Sequence, residues 1–214
     1  PRHLCIIEDI SQRKADEPEL TRFARALRTL INVNQAILKA TDEEELMRSV
    51  CRNLIYEGRY LLAWIGFAEN DEQKTVRPVA SYGYDEGYIK SLDISWADNS
   101  HGQGSTGTAI RTKNYSITRN IHTDPKYTLW RDQAEQRGFG SSIALPLLVD
   151  DETLGALNIY SSEVDHFDSN EIQLLQELAG DVAYGIKSKR IELRDHDHAL
   201  VLKKSLTDSL QAIA

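Results

Sequence analysis

The stretch His101-Gly102-Gln103-Gly104-Ser105-Thr106-Gly107-Thr108 sets three glycines at Gly102-x-Gly104-x-x-Gly107. That is the spacing of a dinucleotide-binding loop, in which glycines let the backbone approach a pyrophosphate at a helix N-terminus. Such a loop needs a buried parallel strand to deliver it. Here the preceding "SLDISWADNS" is polar, and the apolar segments elsewhere pair as antiparallel hairpins. A phosphate loop of the ATPase kind fails separately, because Thr108 stands where its lysine is required. The glycines therefore read as the tight start of a short helix, "STGTAIRTK", capped by Ser105 or Thr106. Free N–H groups at that start would still attract an anionic group of a ligand.

His101, His122 and His166 stand alone among polar residues and read as solvated or hydrogen-bonding loop histidines, not haem or iron ligands. Asp195-His196-Asp197-His198 has metal-binding residue types, but successive residues of a helix point in different directions, so it reads as a solvated face. No nucleophile, base and orienting group fall together, so no catalysis is expected of this chain. What remains is Trp96, Tyr115, Asp124, Tyr127, Trp130, Ser141, Ser142 and Tyr160. Aromatic walls, a few hydroxyls and one carboxylate suit a small-molecule pocket. For Tyr127 and Trp130 the alternative is plain core packing.

The elements that must position these residues follow from periodicity. Leu20, Phe23, Ala24, Leu27, Leu30, Ile31, Asn34, Ile37 and Leu38 predict a first helix. Thr41 and Glu44 have capping-box spacing for a second, with Leu46, Val50 and Leu54 on its apolar face. Residues 60–70 and 75–84 read as a hairpin, 114–118 as a weaker strand, and Tyr127 to Gly138 as a short helix. Residues 141–149 and 153–161 form a second hairpin across Asp150-Asp151-Glu152, and Pro146 predicts a bulge or an edge position. A long helix capped by Asp168 or Ser169 carries Ile172, Leu175, Leu178, Ala179, Val182 and Ile186 on one stripe. Helices, antiparallel sheet, then helix make an α+β domain.

With 214 residues, 41% of them hydrophobic, the chain suits one domain of about 150 residues plus flanks. A formal net charge of −8 gives no basic footprint for nucleic acid. No apolar run reaches a membrane span and no signal peptide opens the chain, so a cytoplasmic location is expected. Cys5 and Cys51 form no CxxC pair, which speaks against a disulfide framework or a thiolate metal site. The chain begins at Pro1 and reads as a piece of something longer.

Residues 20–190 resemble a GAF domain, most specifically in Asp124-Pro125, Trp130, Gly138, Ser141-Ser142, Pro146 and Gly155-Ala156-Leu157. The resemblance implies a six-stranded antiparallel sheet, with the terminal helices on one face and a pocket under loops and short helices on the other. Bilin-binding members need a cysteine in the pocket, whereas Cys51 lies mid-helix on an apolar face. Sulfoxide-reducing members need several cysteines, and only one lies in the domain. Of the cyclic-nucleotide signature only Phe167 and Glu171 remain. Residues 1–16 are similar to the last strand and exit motif of a PAS domain, through Leu4 to Ile7 and Asp9-Ile10-Ser11. Residues 191–214 are similar to the helix leading into HD-GYP cyclic-di-GMP phosphodiesterases, with a diguanylate cyclase or histidine kinase as other outputs. The expectation is a sensor over 17–190 that binds an unidentified small molecule, with no cofactor assignable. It would dimerise through its terminal helices, with Ile186, Leu193 and Leu200 as a seam, and drive a fused output domain. The alternative is a structural spacer whose pocket is filled by its own side chains.

Overall fold

The computed structural model describes residues 10–213. Its centre is an antiparallel sheet of β1 (Leu62–Ala68), β2 (Val76–Gly83), β3 (Ser116–Thr118), β4 (Ser141–Val149) and β5 (Glu152–Ser161), in the order β2-β1-β5-β4-β3. Three helices, α1 (Ile10–Lys39), α2 (Glu43–Tyr56) and α6 (Ser169–Ile213), belong to one face of the sheet. The other face carries α3 (Tyr88–Ser91), α4 (Ser105–Thr112), α5 (Arg131–Gln136) and two 3-10 turns at Ser100–Gly102 and Pro125–Tyr127.

The sheet has five strands, not the six implied by the resemblance. The segment Leu92 to Trp96 runs beside β2 but joins it through one antiparallel bridge, Thr75 to Ser95. Leu92, Ile94 and Trp96 alternate and pack on the pocket-side core, but the segment is short and Asn99 then caps a 3-10 turn that ends the pairing. The strand expected over Leu4 to Ile7 lies outside the described residues.

The pleat divides the strands between two cores. Ala63, Ile65 and Phe67 of β1, Ile143, Leu145 and Leu147 of β4, and Leu157 and Ile159 of β5 pack under the helices. Leu62, Trp64, Ala156 and Tyr160 point the other way. Pro146 stands where β4 has β5 as its only partner, since β3 pairs with residues 142 to 144, and the register slips between Leu147 and Leu148. Both features expected of that proline are present.

The cap of α2 sits one residue later than the spacing suggested. Asp42 accepts from the Glu45 amide at 2.8 Å, and the Glu45 carboxylate accepts from the Thr41 amide and hydroxyl. Asp42 wins because its carboxylate is a better N-cap acceptor than a hydroxyl. Helix α1 starts at Ile10, ten residues before its apolar pattern, because Gln, Arg, Lys, Ala and Glu favour helix without marking a face. Its inward side is Ala26, Thr29, Leu30, Val33 and Ala40, while Leu20, Phe23, Leu27, Ile31 and Leu38 are exposed. The nine-residue stripe therefore merged two faces.

Helices α1 and α6 run parallel: Arg25 meets Glu171, and Asn34 meets Asp181. The stripe expected on α6 is buried throughout, Ile186 included. A seam through Ile186, Leu193 and Leu200 therefore does not start where expected, because Ile186 is committed to this domain's own core. Leu193 and Leu200 are exposed.

Candidate ligand pocket

The site is built on the sheet face opposite the helices. Cross-strand pairing sets Ser142 beside Tyr160 and Asn158 beside both Trp64 and Ala144, so these side chains share the sheet face under the site, and Tyr160 reaches the pocket itself. Asn158 accepts from the Thr106 hydroxyl at 2.8 Å and donates to the Ala156 carbonyl at 3.3 Å, tying α4 to β5.

The glycine loop is explained by close packing. A Cβ on Gly107 would lie 2.4 Å from the Ser95 carbonyl oxygen and 2.5 Å from that of Gly102. A Cβ on Gly104 would lie 2.8 Å from the Trp130 ring. The glycines let α4 enter against the 95–102 loop, which Arg111 pins by donating to the carbonyls of Ala97 (2.9 Å) and Gly102 (2.7 Å). Gly104 itself is the N-cap of α4, without a side-chain bond. Neither Ser105 nor Thr106 caps, since the Thr106 hydroxyl is used on Asn158.

Four aromatic residues close over this sheet face. Tyr127 sits on the 3-10 turn that Asp124 caps, its carboxylate accepting from the Lys126 amide at 2.9 Å. Arg131 braces that turn from Nη2 to the Asp124 carbonyl at 2.7 Å. Tyr127 meets Trp130 edge-on at 5.9 Å between ring centres, and the Tyr88 and Tyr127 hydroxyls lie 3.0 Å apart. Tyr160 lies edge-on to Tyr88 at 5.8 Å and beside Phe139 at 4.8 Å. Burial, then the neighbouring Tyr160, pushes the Tyr88 and Tyr127 hydroxyls well above the usual phenol range. They act as neutral hydrogen-bonding groups. The space left among Tyr88, Ile94, Thr106, Tyr127, Trp130 and Tyr160 is about 10 Å³, room for about one water molecule. Among the described residues no charged side chain lines it.

Of the residues singled out in the sequence, Tyr127, Trp130 and Tyr160 converge on this pocket. Ser142 lies on the same sheet face, buried, with no partner for its Oγ among the described residues. Its neighbour Ser141 points to the other face and donates to the Glu163 carbonyl at 2.7 Å. Asp124 is the turn cap. Trp96 donates to the Glu69 carbonyl at 2.8 Å under the Lys74 ammonium, away from the pocket. Tyr115 is partly exposed beside β3. Sequence reasoning missed Tyr88, Ile94, Thr106 and Asn158. Asn158 carried a readable signal, since it shares the period-2 parity of Tyr160 and Ala156 inside an apolar strand.

Cys51 lies on α2 in the helix-side core, and burial pushes its thiol up to about 12. It has neither the exposure nor the acidity of a reactive thiol. His101 and His122 are half exposed beside Asp93 and Glu135, whereas His166 is buried between Glu163, Glu171 and Arg25. His196 and His198 are exposed on α6.

Comparison with known families matches residues 40–187 to the GAF domain. The chain belongs to the GAF domain family. Such domains are generally regulatory sensors in signalling proteins. A free methionine-R-sulfoxide reductase from Neisseria meningitidis, solved with its substrate, superposes with a TM-score of 0.66 at 17% identity, covering 80% of this chain and 93% of that one. The GAF domain of a phosphoenolpyruvate-protein phosphotransferase from Coxiella burnetii gives 0.65 at 18%, covering 79% and 97%. A domain of a putative two-component sensor histidine kinase from Sinorhizobium meliloti 1021 gives 0.56 at 17%, covering 73% and 99%. At these identities the likeness is one of fold. No curated protein matches the chain. Among the described residues no helix is long and apolar enough to cross a membrane.

Proposed function

We propose that this GAF domain is a regulatory sensor whose ligand is a small uncharged molecule with an apolar body, taken between Trp130 and the tyrosines. The observation that carries the reading is the wall itself: aromatic rings, hydroxyls and the unbonded start of α4, with no ion to meet a charged metabolite. A cation would lose hydration with nothing to replace it, and an anion would meet only the start of α4, with no basic side chain among the described lining residues. The small free volume means that a ligand must displace Trp130, the most exposed of the four aromatics. That volume also favours a second reading, a spacer domain whose pocket is filled by its own side chains. A thermal-shift screen separates them. Uncharged aromatic or alicyclic compounds should raise the melting temperature, and nucleotides and amino acids should not. A shift from charged metabolites alone, or from nothing, overturns the ligand reading.

In the full-length protein we place a PAS domain before this one and an output enzyme after it, with cyclic-di-GMP hydrolysis the leading activity. The support is the similarity of the two flanks. Helix α6, with 45 residues, spans about 68 Å and would carry the signal.

The partner of the domain is a second copy. On α1 the positions Leu20, Ala24, Leu27, Ile31 and Leu38 keep four-and-three spacing apart from Asn34, which turns to Asp181 of α6, and Leu20, Leu27, Ile31 and Leu38 are exposed. That spacing is a heptad seam, which an identical parallel helix fits in register. Light scattering at tens of micromolar should give a dimer, and Leu27→Glu with Ile31→Glu a folded monomer. A monomeric wild-type chain contradicts the seam.

A further inference from the structure

The contact between α1 and α6 is tied by two polar pairs, and each is half made. Arg25 donates from Nη2 to Glu171 Oε1 at 3.1 Å, and the same nitrogen lies 3.2 Å from His166 Nε2. Arg25 Nε and Glu171 Oε2 are both buried without a partner among the described residues. Asn34 donates from Nδ2 to Asp181 Oδ2 at 2.8 Å, while its Oδ1 is likewise buried and unbonded. Of six such buried side-chain atoms among the described residues, three lie on this one seam. A buried polar atom left unbonded is costly, and a guanidinium holds a carboxylate best through two parallel bonds. Here the fork and its acceptor stand one bond short of that arrangement.

The packing allows discrete positions and not free sliding. Leu30 and Val33 of α1 are buried and Ile37 seats closely against Gly185 of α6, while Leu20, Leu27, Ile31 and Leu38 point outward. Tyr60 donates to Glu171 Oε1 at 2.7 Å, and Glu163 accepts from Arg22 at 3.0 Å and faces His166 at 3.2 Å. These groups hold the carboxylate and the histidine while leaving Oε2 open. Arg25 meets the first turn of α6, so α1 extends past the start of α6. Arg190 meets Glu43 at the start of α2, so α6 continues past the end of α1. The two helices leave the domain at opposite ends.

We propose that α1 has two registers on α6: the single-bond register described above, and a second in which Nε and Nη2 of Arg25 hold both oxygens of Glu171. The shift between them is on the order of 1–2 Å, a common size for helix displacements at switching interfaces. The seam would then relay a movement of α1 to α6, whether or not the aromatic pocket takes a ligand.

The Arg25 Nε–H group gives its own nitrogen–proton NMR signal, assigned by its loss in Arg25→Lys. In the wild type that signal and the α1 seam amides should show microsecond-to-millisecond relaxation dispersion, or two sets of peaks if exchange is slower. In Arg25→Lys, which keeps the charge but has no fork, the amide dispersion or doubling should vanish while the Trp64 indole signal stays in its folded position. A single, dispersion-free Arg25 signal in the wild type overturns the proposal and leaves water as the partner of these atoms. Exchange that persists unchanged in Arg25→Lys overturns it too.

Discussion

Trp130→Ala is expected to lower the free energy of unfolding by about 3–5 kcal/mol and to create a cavity that free indole refills. The ring is buried, packs edge-on to Tyr127 and covers the face of Gly104, and only about 10 Å³ remains beside it. Removing it takes away both its transfer energy and its contacts, while Tyr88, Tyr127 and Tyr160 are held by one another and by the sheet. The cavity would be walled by rings and hydroxyls, a shape that indole matches. Millimolar indole should therefore raise the melting temperature of the variant and leave that of the wild type almost unmoved. A loss under about 1 kcal/mol, or a variant indifferent to indole, would show that Trp130 neither fills nor walls the site.

The second large effect is expected from Arg25→Ala, at about 3 kcal/mol near neutral pH. Glu171 is almost wholly buried, and its pKa is set by opposing causes. Burial pushes its carboxyl up. Hydrogen bonds from His166 and Tyr60, with the charges of His166 and Arg25, outweigh that and hold it below the usual carboxylate range. A depressed folded-state pKa contributes stability above the unfolded value of 4.5 and loses it as pH falls through the folded value. Without Arg25 the buried carboxylate loses its permanent cation and is left to His166 and Tyr60, so the variant lacks part of that contribution. The gap between variant and wild type should be widest near pH 7 and narrow below about pH 4.5. Denaturant unfolding at several pH values measures it, and a gap constant from pH 7 to 4 would contradict the role given to Glu171.

Much of this architecture was legible in the sequence because burial there follows periodicity. The stripe from Ile172 to Ile186 and the alternation through β1, β4 and β5 needed nothing beyond spacing. The inward face of α1 was only partly legible, because Ala26 and Thr29 are small or polar beside the buried Leu30 and Val33, and Leu20, Leu27, Ile31 and Leu38 point outward. The fifth-versus-sixth strand question turned on how far the short 92–96 segment pairs, which spacing does not report. In the pocket, Tyr127, Trp130 and Tyr160 were found because aromatic and hydroxyl groups advertise a wall. Tyr88 arrived from a distant loop that only tertiary packing brings close. Asp124 carried the right chemistry for a ligand but is used on the Lys126 amide, as Asp in front of Pro commonly is at a turn. The Arg25–Glu171–His166 cluster was invisible for the same reason as Tyr88. Arg25 lies 141 and 146 residues from His166 and Glu171, and no local pattern couples it to them.

The most direct test of the sensor reading uses the three tryptophans of the chain as reporters. Trp130 stands in the pocket wall, Trp64 is buried in the core on the same sheet face with an indole N–H that has no partner among the described residues, and Trp96 is bonded to the Glu69 carbonyl. Their indole nitrogen–proton signals can be followed by NMR while small uncharged aromatic and alicyclic compounds are titrated in. The account predicts that at least one compound moves the Trp130 signal saturably and further than those of Trp64 and Trp96. All three signals fixed across the panel, or moved only by charged metabolites, would contradict it.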